Sequence, residues 1–232
     1  MAQRRAHRGP RNRTFLDLPK ASTSHANTRV KLPYGLTARQ VVAAINSVYA
    51  YLQATNESSV ACGYPRAEEL MQPAGFSGHI SLLFVEYFAK HSHSTLMVNS
   101  YPNGHPDLLS RHHTRTGKEK SGKHGIEVKT TRSNAQAHSA RSGWIIVVEI
   151  ACDLYGPEYM RAPTRVLRVQ IAKLEARHWN YYGRKKKSKR TPTSSIKATA
   201  RALFKDIYVH PDREALRKAL RAKKRQHALS KS

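Results

Sequence analysis

Between residues 143 and 152 the chain reads GWIIVVEIAC, and no other stretch restricts the fold as much. Trp144, Ile145, Ile146, Val147, Val148 and Ile150 make an almost unbroken apolar run. A strand with one wet face alternates polar with apolar residues, so a run without alternation suits a strand covered on both faces of a sheet. The chain therefore reads as an α/β fold, with a central mixed sheet of four or five strands flanked by helices and helical additions at both ends.

Other elements follow from periodicity. Thr37 and Gln40 have capping-box spacing, and Val41, Ile45, Val48, Tyr49 and Leu52 then recur at helical intervals, which predicts an amphipathic helix over 37–54. A short helix over 66–71 ends near Pro73, and a second long one over 78–91 carries Ile80, Leu83, Phe84, Tyr87 and Phe88 as a wide apolar stripe. Extended segments are expected at 94–99, 105–109, 125–131 and 165–171, the last preceding an aromatic stretch at 178–182. Residues 1–35 mix Arg, Pro, Ser, Thr and Asn without apolar periodicity and read as a flexible basic arm; 36–182 form the α/β domain. The remainder, 183–232, is a basic loop (RKKKSKRTPTSS) followed by two helices, over 196–207 and 211–226.

Charge narrows the class of partner. Lysine and arginine number 41 against 15 aspartates and glutamates, a formal balance of +26 with histidine neutral. A compact fold gains nothing internally from such an excess and repels itself unless a polyanion is near. Three readings follow: a nucleic-acid enzyme, a passive nucleic-acid binder, and a protein docked on anionic lipid. The last is weakest, because the closing helices carry charge around much of their circumference. No run approaches the roughly 18 to 20 apolar residues of a membrane span, and the start, MAQRRAHRGPRNR, is too polar for a secretory signal. The expectation is a cytoplasmic protein without a membrane partner. Cys62 and Cys152 lack any CxxC or Cys/His pattern and read as two buried thiols, with no zinc site and no disulfide.

The stretch HPDLLSRHHTRTGKEKSGKHGIEVKTTR carries the chemistry. Asp107 follows Pro106 in a short extended segment; Glu127, Val128 and Lys129 follow a basic loop. Residues i and i+2 of a strand share a face, so Glu127 and Lys129 project together while Val128 turns to the buried side. Two carboxylates and one lysine meeting at a sheet edge suit phosphodiester cleavage. Carboxylate oxygens hold a hard cation such as magnesium, and an adjacent ammonium offsets growing phosphoryl charge.

Through Pro106, Asp107, Glu127, Val128 and Lys129 the sequence resembles the PD-(D/E)XK nuclease superfamily, which includes many type II restriction endonucleases. The order of helix and strands over 78–152 is similar to that superfamily's αβββαβ core, although 133–141, SNAQAHSAR, is short and polar for the helix expected there. The resemblance implies a restriction-endonuclease-like core, Asp107 and Glu127 as Mg2+ ligands with the Val128 carbonyl as a further one, and Lys129 as the catalytic lysine. It also implies Glu86, on the preceding helix, as an accessory acid. The function implied is a magnesium-dependent DNA endonuclease, sequence-specific and of the restriction type, acting on double-stranded DNA as a homodimer. A junction-resolving or repair nuclease and a non-catalytic basic nucleic-acid binder stay open beside it.

Outside that motif, Arg132, Asn134, Gln136 and Arg141 are side chains suited to reading base edges. Arg184, Lys185, Lys186 and Lys187, beside Trp179, Tyr181 and Tyr182, combine cations with stacking surfaces for DNA. His105, His112, His113 and His124 crowd the loop between the motif halves, where histidine serves as a phosphate contact more often than as a base. Glu149, inside the apolar run, needs a structural partner, since a lone buried carboxylate is costly.

Overall fold

A computed structural model describes residues 19–132, 136–137, 142–155, 161–181 and 194–230, the side chains of 136, 137 and 181 excepted. Its helices are α1 (Ala38–Ala61), α2 (Ala67–Leu70), α3 (Pro73–His91) and α4 (Arg213–Leu229). Its strands are β1 (Leu96–Val98), β2 (Leu108–Ser110), β3 (Gly125–Thr131), β4 (Gln136–Ala137), β5 (Gly143–Ala151), β6 (Arg165–Leu174), β7 (Trp179–Tyr181), β8 (Ser194–Ile196) and β9 (Lys205–Val209). A six-stranded sheet has the order β1-β2-β3-β5-β6-β9, and a second, three-stranded sheet has the order β4-β8-β7. The large sheet is mixed: β3 and β5 are parallel, and every other neighbouring pair is antiparallel.

The apolar run is a central strand, as its pattern requires. Alternate residues of β5 feed two cores. Ile146, Val148 and Ile150 face α1 and α3, packing with Ile45, Val48, Phe84 and Phe88. Ile145 and Val147 face the other way, toward Ala172, Leu174, Trp179 and Ala200. α1 begins with the expected capping box: the Gln40 amide donates to Thr37 Oγ1 at 3.3 Å, and the Thr37 amide donates to Gln40 Oε1 at 2.8 Å. The Tyr49 hydroxyl accepts from the Val166 amide at 2.8 Å, tying the helix layer to β6.

Several expectations need correction. The short helix does end just before Pro73, but the long helix expected from 78 begins at Pro73 itself, where proline's missing N–H costs nothing at the first turn. The helix expected over 196–207 is instead β8, a short 3-10 turn (Ala198–Leu203) and β9. β9 extends the large sheet to six strands rather than four or five. From residue 19 to 35 the basic arm is packed rather than loose: Ala21 exchanges hydrogen bonds with the Asn46 side chain at 2.8 and 3.1 Å, and Ala26 bridges Tyr208. Cys152 is buried, which pushes its thiol up to about 11, whereas Cys62 is exposed at the end of α1.

Candidate active site at the β2–β3 fork

The β2–β3 ladder sets Leu109 against Gly125 and Leu108 against Ile126, and parts there. Asp107 and Glu127 are the next residues on the two strands. Gly125 permits the close approach just before the fork, since a Cβ there would lie 1.9 Å from the Leu108 carbonyl oxygen and 2.5 Å from Pro106 Cγ. Beyond the fork β3 has lost β2 on this edge, though β5 still pairs the other, and its backbone here must find other partners. Asp107 Oδ2 accepts from the Val128 amide at 2.8 Å, and Ser81 Oγ of α3 accepts from the Thr130 amide at 3.0 Å. Within a strand the N–H and C=O of one residue point to the same edge, so the Val128 carbonyl opens into the same gap.

Asp107 is held from behind by Asn99. The Asn99 amide donates to the Asp107 carbonyl at 2.9 Å. Its side-chain Nδ2 donates to the Pro106 and Glu119 carbonyls at 3.0 and 2.7 Å, and its Oδ1 accepts from the Glu119 amide at 3.0 Å. One side chain thus binds the Pro106–Asp107 segment to the far end of the basic loop. The His105–Pro106 peptide bond is cis.

At the fork the three sequence-predicted groups converge. Lys129 Nζ contacts Glu127 Oε1 and lies 3.8 Å from Asp107 Oδ2. His105 Nδ1 lies 2.6 Å from Glu127 Oε2. Burial, and next the neighbouring Glu127 charge, push the Asp107 carboxyl up to about 6, against the pull of Lys129 and the Val128 amide. Burial works in the same direction on Glu127, but its hydrogen bond from His105 and the Lys129 charge overcome it and hold that carboxyl well below the usual range. Burial alone would lower Lys129; the Glu127 and Asp107 carboxylates outweigh it and raise the ammonium instead. The pair is therefore divided, with one firmly ionised acid and one whose charge is opposed by its surroundings.

The opposition at Asp107 is the observation that bears on a metal. Two crowded carboxylates, one resisting ionisation, form an oxygen set that a small hard cation neutralises, and magnesium uses one or two carboxylates and keeps several waters. Among the described residues no group of three or more His, Cys, Asp or Glu side chains could hold a metal ion. The set fits a hydrated ion completed by water and substrate oxygens, and does not fit an all-protein cage.

Sheet alternation decides which other predicted residues belong. Glu127 and Lys129 sit in register with Ile145 and Val147, on the face of the second core. That core covers β5 and β6, and over β3 the Glu127 and Lys129 side chains stay 13 and 26% exposed. A recess there is lined by His105, Pro106, Lys123, Glu127, Trp144 and Trp179, among others. Ile126 and Val128 face α3, which packs on the other side of the sheet, and its Glu86 is exposed and forms no ion pair among the described residues. Arg132 continues the Val128 side: its guanidinium carbon stands 5.4 Å from the Phe76 ring centroid of α3, on the face opposite Glu127 and Lys129. Asn134, Arg141, Arg184, Lys185, Lys186, Lys187 and Tyr182 lie outside the described residues. Gln136 begins β4, in the second sheet.

Of the histidines, His105 reaches the carboxylates. His113 and His124 stack on each other with centroids 4.1 Å apart, and His113 Nδ1 bonds Ser110 Oγ at 2.9 Å. Sequence reasoning passed over Asn99 and undervalued His105. His105 is two residues before Asp107, but the bend and the cis His105–Pro106 bond that bring its ring to Glu127 have no periodic signature. No local signal marks Asn99, whose partner Glu119 is distant in sequence. Glu149 has the structural partners its burial demanded, Arg168 at 3.2 Å, Arg213 at 2.9 Å and Arg217 at 3.5 Å. Set against known proteins, the chain matches no family model, no curated protein and no solved structure.

Proposed function

We propose that this protein is a magnesium-dependent DNA endonuclease of the restriction type, hydrolysing phosphodiester bonds at the β2–β3 fork. The observation that carries the reading is the convergence of Asp107, Glu127 and Lys129, partly exposed, at one sheet edge of a strongly basic chain. Asp107, Glu127 and the Val128 carbonyl would hold Mg2+, which when bound supplies Lewis acidity and lowers the pKa of water. The chain's own groups do the rest. His105 fixes the Glu127 carboxylate, as outer partners of ligating side chains do. Lys129, kept protonated by its two carboxylates, offers its ammonium to a phosphoryl oxygen as water adds to phosphorus and the bond to the leaving sugar oxygen breaks. Trp144, Trp179 and Leu174 wall the adjoining recess and limit water access from that side.

Supercoiled plasmid incubated with Mg2+ is expected to be nicked and linearised. Asp107→Ala and Lys129→Ala should each reduce the rate by at least about 10²-fold, the scale of losing one charge-stabilising group. Unchanged activity in both variants removes the site assignment. Defined fragments from linear duplex mark a restriction enzyme; a requirement for branched or damaged DNA marks a junction-resolving or repair nuclease. Cutting both strands of a palindrome calls for two-fold symmetry, so light scattering should return twice the chain mass.

His105→Ala tests the orienting contact separately. It is expected to raise the Mg2+ concentration for half-maximal cleavage by about 10- to 100-fold, leaving duplex binding without metal unaltered. A magnesium titration that superimposes on wild type would dismiss the orienting role.

A further inference from the structure

α4 has no buried residue, yet it lies against the domain along one side. Its inward positions are half-buried and mostly polar, with Leu216 and Leu220 among them. Arg213 and Arg217 pair with the buried Glu149 of β5, Lys223 pairs with the buried Asp153, and the His227 ring lies 5.7 Å from Tyr155. Ion pairs to two buried carboxylates, beside these two leucines, fix how this helix sits. Glu149 shares the sheet face of Glu127 and Lys129, because it stands in register with Thr131 and alternation repeats every second residue. α4 is thus docked on the same side of the large sheet as Glu127 and Lys129, at the C-terminal end of β5.

Its outer flank has no such partners. Lys218, Arg221, Lys224 and Arg225 are all exposed, and none forms an ion pair among the described residues. At about 100° per residue these four fall within an arc of roughly 120°. They stand three and four residues apart, the spacing at which like charges on a helix repel. Beside them Ala215, Ala219 and Ala222 are exposed small residues that permit close approach. The sole acid within α4, Glu214, stands on the same flank one turn before Lys218 and pairs with Arg213 and Arg217, so from Lys218 to Arg225 the flank carries cations alone.

We infer that the outer flank of α4 is a docking ridge for the phosphate backbone of double-stranded nucleic acid. From Lys218 to Arg225 the ridge covers about 10 Å of helix axis, a length over which a duplex presents about six phosphates. A lipid surface would need large apolar side chains on this flank, and among the exposed residues of α4 Leu229 is alone in that class. The inference extends the nuclease reading from the reacting phosphate to the neighbouring backbone. It is tested by binding without divalent metal, so failure of cleavage and failure of the ridge are scored separately.

The test compares two full-length variants with wild type. One changes Lys218, Arg221, Lys224 and Arg225 to Gln, which keeps helix propensity; the other changes the exposed Arg29, Lys31, Arg39 and Lys90 to Gln, removing equal charge elsewhere. Binding to a fluorescent duplex is followed by anisotropy in EDTA over a salt series, with circular dichroism as the check on folding. The ridge variant is expected to bind at least tenfold more weakly at moderate salt. Its log–log salt slope should be shallower by about 2 to 4, near 0.9 for each phosphate that is no longer neutralised, and the control should move far less. Equal weakening in the two variants, or an unchanged slope in a folded ridge variant, overturns the inference. So does a ridge variant that binds duplex normally but no longer binds phosphatidylserine vesicles.

Discussion

Asp107→Asn is expected to make the metal-free protein more stable near neutral pH while abolishing metal-dependent cleavage. The Asp107 carboxyl is pushed from an ordinary 3.8 up to about 6 in the fold, so the folded chain holds this proton more tightly than the unfolded one. Between those values stability falls as pH rises, and above about 6 the whole penalty of a charged Asp107 is present. Asparagine imitates the protonated form and still offers an oxygen to the Val128 amide. At roughly 1.4 kcal/mol per pKa unit, discounted for partial exposure, the gain is about 1 to 3 kcal/mol. For a chain of this size that raises Tm by roughly 3 to 8 °C. Below pH 4 the two proteins should melt together. Thermal unfolding across this pH range in EDTA checks it; a less stable Asp107→Asn near neutrality would mean that the attraction of Lys129 outweighs burial and the Glu127 charge.

Glu149→Ala has the largest expected effect on stability. One buried carboxylate is shared by Arg168, Arg213 and Arg217, whose side chains are between 15 and 32% exposed. Removing it leaves three guanidinium groups facing each other with little water. Breaking such a buried pair costs about 3 to 5 kcal/mol, and the partial exposure favours the lower end. That is a drop of roughly 6 to 12 °C in Tm. The loss should be local before it is global, since α4 relies on these pairs rather than on a buried apolar face. Trypsin has its pick of Lys218, Arg221, Lys224 and Arg225, so faster cleavage within α4, ahead of any cut in β5 or β6, is the expected signature. Equal tryptic rates in wild type and Glu149→Ala would show that Leu216 and Leu220 hold the helix instead.

Sequence pattern made some of this legible because the governing contacts are local or periodic. β3 occupies 125–131 as its alternation indicates, and the same alternation pairs Glu127 with Lys129 on one face. Carried one step further it also places Arg132 with Val128 on the helix side, and that signal lies in the sequence itself. Glu86 was not decidable in this way. A helical stripe identifies the face that is buried, but not which side of the sheet buries it. β9 was hidden by its neighbourhood: Ile196, Ala200, Phe204 and Ile207 recur at helical spacing, and pairing with β6, distant in sequence, overrides that rhythm. Residues 19–35 lack rhythm because irregularly spaced contacts hold them: the Asn46 side chain, backbone bonds to Ile207 and Tyr208, and Ala21, Val30, Leu32 and Tyr34 on the core.

Asp107 gives one oxygen both to the Val128 amide and, at 3.8 Å, to the Lys129 ammonium. The first contact closes a stretch of strand that would otherwise be an open invitation to a foreign chain. Solubility and the proposed reactivity are thereby vested in the same atom. Evolution cannot retire that chemistry by trimming this side chain to a methyl group without also baring a sticky border. Any lineage that abandons it should therefore keep an oxygen at position 107.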